Sequence, residues 1–199
     1  MSIAAEKERL RREIGTLRRR IDPARRTLAG DAVARHVLAW PGLRPARRVA
    51  LYAALPDELP TDRLMGALLA RGHALLLPRA ADSERLEFAA VSERSILAPG
   101  VFGVLEPPPE APATPLREDD LVLLPGVAFD RWGARLGRGS GWYDRSLPPG
   151  VRDLFGLAFE AQLLERVPVT ATDRRVRGVF TERGLRCCRA RDASGGPRS

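Results

Sequence analysis

Lysine is almost missing from this 199-residue chain: of 33 basic side chains, Lys7 alone is lysine and the rest are arginine. So uniform a bias belongs to the composition as a whole, and the net charge of +8 is therefore poor support for a nucleic-acid partner. It also marks Lys7, because a position that needed only positive charge would here read Arg. Cysteine is equally sparse. Cys187 and Cys188 are adjacent, which suits neither a disulfide framework nor the spaced pairs of a metal site. The two histidines, His36 and His73, belong to no motif. No apolar run approaches the roughly 20 residues that span a bilayer, and the opening MSIAAEKERLRRE carries charge where a signal peptide needs a hydrophobic stretch. A cytoplasmic protein without membrane contact is expected. Internal repeats are absent.

What is present is a chain 44% hydrophobic, long enough to bury a core and short enough for one domain over residues 1–188. Residues 1–48 hold 13 basic and 5 acidic side chains, which accounts for the whole net charge; residues 183–199 are again basic. Leu10, Ile14, Leu17 and Ile21 recur at helical spacing from Ile3 onward, with a basic opposite face. Asp22-Pro23 then reads as the start of a second basic helix that runs to about Trp40. Beyond it, residues 49–55 (VALYAAL), 74–77, 86–91, 121–124 (LVLL) and 155–159 (FGLAF) read as strands, while 61–71 and 160–165 read as helical. Strands alternating with helices predict an α/β, three-layer, Rossmann-like fold with a largely parallel sheet flanked by helices. The proline-rich stretch 106–115 is expected to form no regular element, and the polar tail 189–199 to be disordered.

The chemistry is concentrated after the buried strand LVLLP, in GVAFDRWGARLGRGSGWYDRSL, residues 126–147. Ligands of open α/β sheets bind at the carboxyl ends of strands, where this segment lies. Gly137, Gly139 and Gly141 let the backbone turn several N–H groups toward one anion. Arg135 and Arg138 can fork onto phosphate oxygens, and Asp144 offers an oxygen ligand to a Mg²⁺ that bridges phosphates. A bare GxGxG is a common flexible turn. The whole string resembles the signature loop of the 5-formyltetrahydrofolate cyclo-ligase family, approximately PGxAFDxxGxRLGxGxGYYD, with Trp142 standing where the family usually has tyrosine. Near the N-terminus the family's KxxLR is matched by Lys7, Leu10 and Arg11.

The resemblance implies an ATP site of Lys7, Arg11, Arg135, Leu136, Gly137, Arg138, Gly139, Ser140, Gly141, Trp142 and Tyr143, with Arg138 and Tyr143 catalytic. Ala53 and Glu58 would bind the reduced folate, and Asp144 and Asp173 would hold Mg²⁺. A carboxylate such as Glu58 can accept paired hydrogen bonds from the amino-pyrimidine edge of a pterin. Asp173 falls in a C-terminal pattern resembling HDxxVDxVxT, of which the chain keeps Asp173, Val176, Val179 and Thr181 but has Arg177 at the second aspartate. The activity implied is conversion of 5-formyltetrahydrofolate and ATP to 5,10-methenyltetrahydrofolate, ADP and phosphate, by a monomer. Two other readings fit parts of the sequence. An RNA-binding protein would use the basic helices and the RLGRGSGWY loop, although Asp57, Glu58 and Asp144 would repel its phosphates. A silent nucleotide-binding paralogue would explain Arg177.

Overall fold

The computed structural model describes residues 2–93, 97–100 and 103–189. Helix α1 (Ile3–Arg19) begins at Ser2, whose hydroxyl accepts the Ala5 N–H, and α2 (Pro23–Ala39) begins at Asp22, whose carboxylate accepts the N–H groups of Ala24 and Arg25. Both ends follow from capping side chains, with Pro23 preset for the first turn. Trp40, just past α2, packs on Phe155 and Phe180 with ring centroids 4.7 and 5.6 Å away. The chain continues through β1 (Arg48–Ala50), α3 (Asp62–Ala70), β2 (Ala74–Ala80) and β3 (Leu86–Val91). Next come β4 (Ala98–Pro99), β5 (Leu105–Glu106), β6 (Leu121–Leu124), β7 (Ala128–Asp130), β8 (Arg135–Leu136) and the short helix α4 (Trp142–Ser146). Four strands complete it: β9 (Leu154–Leu157), β10 (Leu163–Leu164), β11 (Gly178–Thr181) and β12 (Gly184–Cys187).

The seven-stranded central sheet has the order β12-β11-β9-β6-β1-β2-β3. Its centre is parallel, and the edge strands β12 and β3 are antiparallel to their neighbours. Alternation along the strands feeds two cores. Val49, Leu75, Leu77 and Leu123 pack with Val33, Val37, Leu64 and Leu68 of α2 and α3, whereas Ala50, Leu76, Val122 and Leu124 pack with Phe129, Leu147 and Val151. Burial on both faces is why the central strands read as continuous apolar runs. The second face is covered chiefly by α4 and a three-stranded sheet, β10-β7-β8, rather than by long helices. Leu10 and Ile14 of α1 seal that small sheet against Val127, Ala128, Ala134 and Leu136.

Three expectations are corrected. The strand read over 49–55 ends at Ala50, because the carbonyl of Tyr52 is taken by the Thr61 hydroxyl at 2.7 Å and the backbone turns into a loop. The helix read over 160–165 is a 3-10 turn, Glu160–Gln162, followed by β10. Gln162 explains it: its side chain accepts the Phe159 N–H and donates to the carbonyls of Gly126 and Val127, tying the turn to the site loop. On α1 the buried residue of the last turn is Arg18, not Leu17. Of the tail read as disordered, Arg189 donates its N–H to the Arg131 carbonyl, and the remainder lies outside the described residues.

The ring of Phe129 is lodged between two glycines. A Cβ on Gly126 or Gly156 would come within 2.4 or 2.5 Å of it. Gly156→Ala is therefore expected to cost about 1–3 kcal/mol through overpacking of a central strand, read from the urea midpoint; an unchanged midpoint would mean that the ring can move aside.

Candidate active site

Strands β1 and β6 are neighbours from which the chain departs in opposite directions across the sheet, β1 toward β2 and β6 toward β9. Open α/β sheets form ligand crevices at such a switch point. A cleft of about 620 Å³ opens there. Tyr52, Ala53 and Glu58, which follow β1, line one wall, and Arg135, Arg138 and Tyr143 line the other. Ser140, Gly141, Trp142 and Asp144 also face it.

The loop between β8 and α4 reverses through Gly139 (φ 122°) and Gly141 (φ 68°), backbone conformations that strain any L side chain. Arg135 is buried beneath the loop. Its Nη2 donates to Asp144 Oδ2 at 2.8 Å, its Nη1 donates to the Pro125 carbonyl at 3.3 Å, and its guanidinium lies 5.6 Å from the Tyr143 ring centroid. The other oxygen of Asp144 accepts the Arg174 N–H at 3.1 Å. Arg174 in turn donates to the carbonyls of Leu147, Pro148 and Val151, fixing the chain that leaves α4.

Arg138 is the exposed member, 47% accessible at its side chain. It reaches across the cleft, with Nε donating to Glu58 Oε1 at 3.1 Å and Nη2 to Asp57 Oδ1 at 2.6 Å. Glu58 is held from its other oxygen by the Leu55 N–H at 3.1 Å. Under this acid pair lies Arg18, 1% exposed, with Nη2 2.7 Å from Asp57 Oδ2 and Nε donating to the Asp57 carbonyl at 2.9 Å. Burial pushes the Asp57 carboxyl up, but the charge of Arg18 and the hydrogen bond and charge of Arg138 outweigh it and hold the group below its ordinary range. Burial and the charge of Glu58 raise the Tyr143 phenol, against a smaller lowering by Arg135, so Tyr143 is an O–H donor near neutral pH and not a base.

The two ends of the chain meet behind the loop. Lys7 Nζ donates to Asp173 Oδ2 at 2.6 Å, the same oxygen accepts the Thr170 N–H at 2.7 Å, and Arg11 Nε donates to the Gly137 carbonyl at 3.0 Å. Arg177 is paired with Asp153. Two motif positions are scaffold. Leu136 has its side chain in the core and its carbonyl taken by the Val127 N–H, and the Asp130 carboxylate accepts the N–H groups of Trp132, Ala134 and Val167. The Trp142 indole N–H donates to the Ser83 carbonyl at 3.0 Å, tying the loop to the turn between β2 and β3.

Sequence reading missed Arg18. The signal was available: steps of four from Leu10 and Ile14 lead to Arg18, and a charge on an apolar stripe requires a buried partner. Within the loop, Arg135 and Arg138 are bonded to carboxylates and Tyr143 packs on Arg135. No helix among the described residues is long and apolar enough to cross a membrane.

The sequence model described as "5-formyltetrahydrofolate cyclo-ligase family" matches residues 3–182. The chain belongs to that family. The 5-formyltetrahydrofolate cyclo-ligase of Haemophilus influenzae is 30% identical over 174 residues, covering 84% of this chain and 93% of that protein. The cyclo-ligase of Mycolicibacterium smegmatis is 33% identical over 148 residues, 70% of this chain and 76% of its own length. Among solved structures, the NMR structure of 5,10-methenyltetrahydrofolate synthetase from Aquifex aeolicus superposes with a TM-score of 0.78 at 30% identity, covering 94% of this chain and 95% of that one. Cyclo-ligase family membership thus agrees with the signature loop at the level of both sequence and fold.

Proposed function

We propose that this family member uses ATP to close 5-formyltetrahydrofolate to 5,10-methenyltetrahydrofolate, releasing ADP and phosphate. The observation that carries this reading is the meeting of the Gly/Arg loop and Glu58 across one cleft, a polyphosphate cradle facing an acceptor suited to a pterin edge. A formamide oxygen is a poor leaving group. Transfer of the γ-phosphoryl group to the formyl oxygen makes it a good one; N10 then attacks the formyl carbon, its proton passes to phosphate or solvent, the C–O bond breaks, and inorganic phosphate carries away that oxygen and its electron pair. Phosphoryl transfer is catalysed chiefly by positioning and charge neutralisation. Arg135 and Arg138 face the cleft and supply charge, Tyr143 supplies an O–H donor, Glu58 orients the folate beside Ala53, and Lys7 and Arg11 back the loop from α1.

Asp144 and Asp173 are the carboxylates that would hold Mg²⁺. Each already bonds a cation, and among the described residues no group of three or more His, Cys, Asp or Glu is placed to hold a metal. The donor set therefore fits a Mg²⁺ that arrives on the polyphosphate with most of its own oxygen ligands, the usual manner of that ion. When bound, it would neutralise charge on the transferring phosphoryl group. The reading is of a monomeric, cytoplasmic, single-domain enzyme. The deciding experiment follows methenyl-folate absorbance after ATP, Mg²⁺ and 5-formyltetrahydrofolate are added. ATP-dependent product is expected, and no product at any pH or metal concentration would refute the assignment.

A further inference from the structure

Arg138 is claimed from two sides of the cleft. A guanidinium has five N–H donors in one rigid fork, and here Nε is given to Glu58 and Nη2 to Asp57. The Nε/Nη2 edge is thus committed, and a polyphosphate that takes that edge must displace both carboxylates. Arg18 differs in kind: it is buried under the acid pair, donates to the Asp57 carbonyl as well as pairing with its carboxylate, and belongs to a helix sealed into the small sheet. One cation is therefore fixed and the other exchangeable. Should Arg138 leave, Arg18 and the Leu55 N–H still hold the turn that carries Glu58.

We propose that Asp57 and Glu58 compete with the polyphosphate for the guanidinium of Arg138, so that nucleotide and folate tighten each other's binding. The proposal rests on the function inferred above. A pterin that donates to Glu58 weakens the hold of Glu58 on Arg138 and releases the fork toward phosphate. A polyphosphate that takes the fork leaves Glu58 free to accept from the pterin. Linkage requires both effects to be the same factor. Asp57, which the reaction itself does not use, sets the size of the competition.

The test is titration calorimetry with β,γ-imido-ATP and Mg²⁺, which cannot transfer a phosphoryl group. Asp57→Asn is expected to tighten the analogue about two- to fivefold, the range for one partly exposed ion pair. Removing a negative charge could do this through space alone, so the same substitution is repeated in an Arg138→Ala background, where the gain should vanish. A gain that survives there, or no gain with Arg138 present, overturns the proposal. If Asp57→Asn melts early, the wild-type protein decides: saturating 5-formyltetrahydrofolate should tighten the analogue by a similar factor, and an unchanged affinity overturns the coupling. Absence of analogue binding to every protein would instead overturn the ATP assignment, and this proposal with it.

Discussion

Replacing Arg138 by alanine should lower kcat about a thousandfold while the protein remains folded. Cations aimed at a transferring phosphoryl group are worth about 10³–10⁵ in rate. The effect on folding is small by comparison, because the Arg138 side chain is 47% exposed and, when it is gone, Asp57 keeps Arg18 and Glu58 keeps the Leu55 N–H, so each pair contributes about 1 kcal/mol. Methenyl-folate absorbance measures the first effect and a thermal melt the second. Lysine at the same position should recover part of the rate at most, since it keeps the charge and loses the fork. A variant that loses activity only in proportion to its loss of folded protein would make Arg138 a structural residue.

Arg18→Met inverts that pattern. The methionine fills much of the volume but leaves the Asp57 carbonyl without its Arg18 donor and the Asp57 carboxylate without its buried counter-charge, while the Gly126 carbonyl keeps the Gln162 amide. Removing one partner from such a network costs about 3 kcal/mol, somewhat below the full range for a buried pair because Asp57 retains 26% exposure and Arg138. For a chain of this size that is roughly 6–12 °C in Tm. Melting by circular dichroism would show it, and a shift under about 2 °C would mean that Arg18 is not what holds the acid turn. The folate KM should rise as well, because Glu58 rides on the same turn.

Legibility followed the range of the interactions. The strand Leu121–Leu124 and the cap at Asp22 could be read because a short apolar run or local hydrogen bonding determines each. The loop could be read because its glycines and arginines are contiguous. The place of Arg18 on the Leu10–Ile14 stripe was legible, but what it pairs with was not, since its partners stand 39 and 108 positions away. The turn at Gln162 was hidden for the same reason: its amide is committed to residues 126 and 127, which no helical periodicity can anticipate. Within the signature itself, the pattern singles out Asp144 as a ligand, and Asp144 faces the cleft, whereas nothing in the pattern shows that the oxygens of Asp130 accept three backbone N–H groups, one of them from Val167. Arg177 had suggested a damaged metal site, but its pairing with Asp153 gives it a task of its own.

The pair Lys7–Asp173 joins positions 166 residues apart. The lysine of α1 therefore meets its carboxylate only when the segment around Asp173 has folded back onto that helix. A chain cut before Asp173 would keep the glycine loop and its Arg11 contact but lose the carboxylate that fixes Lys7, so the last stretch of the sequence completes a wall begun by the first.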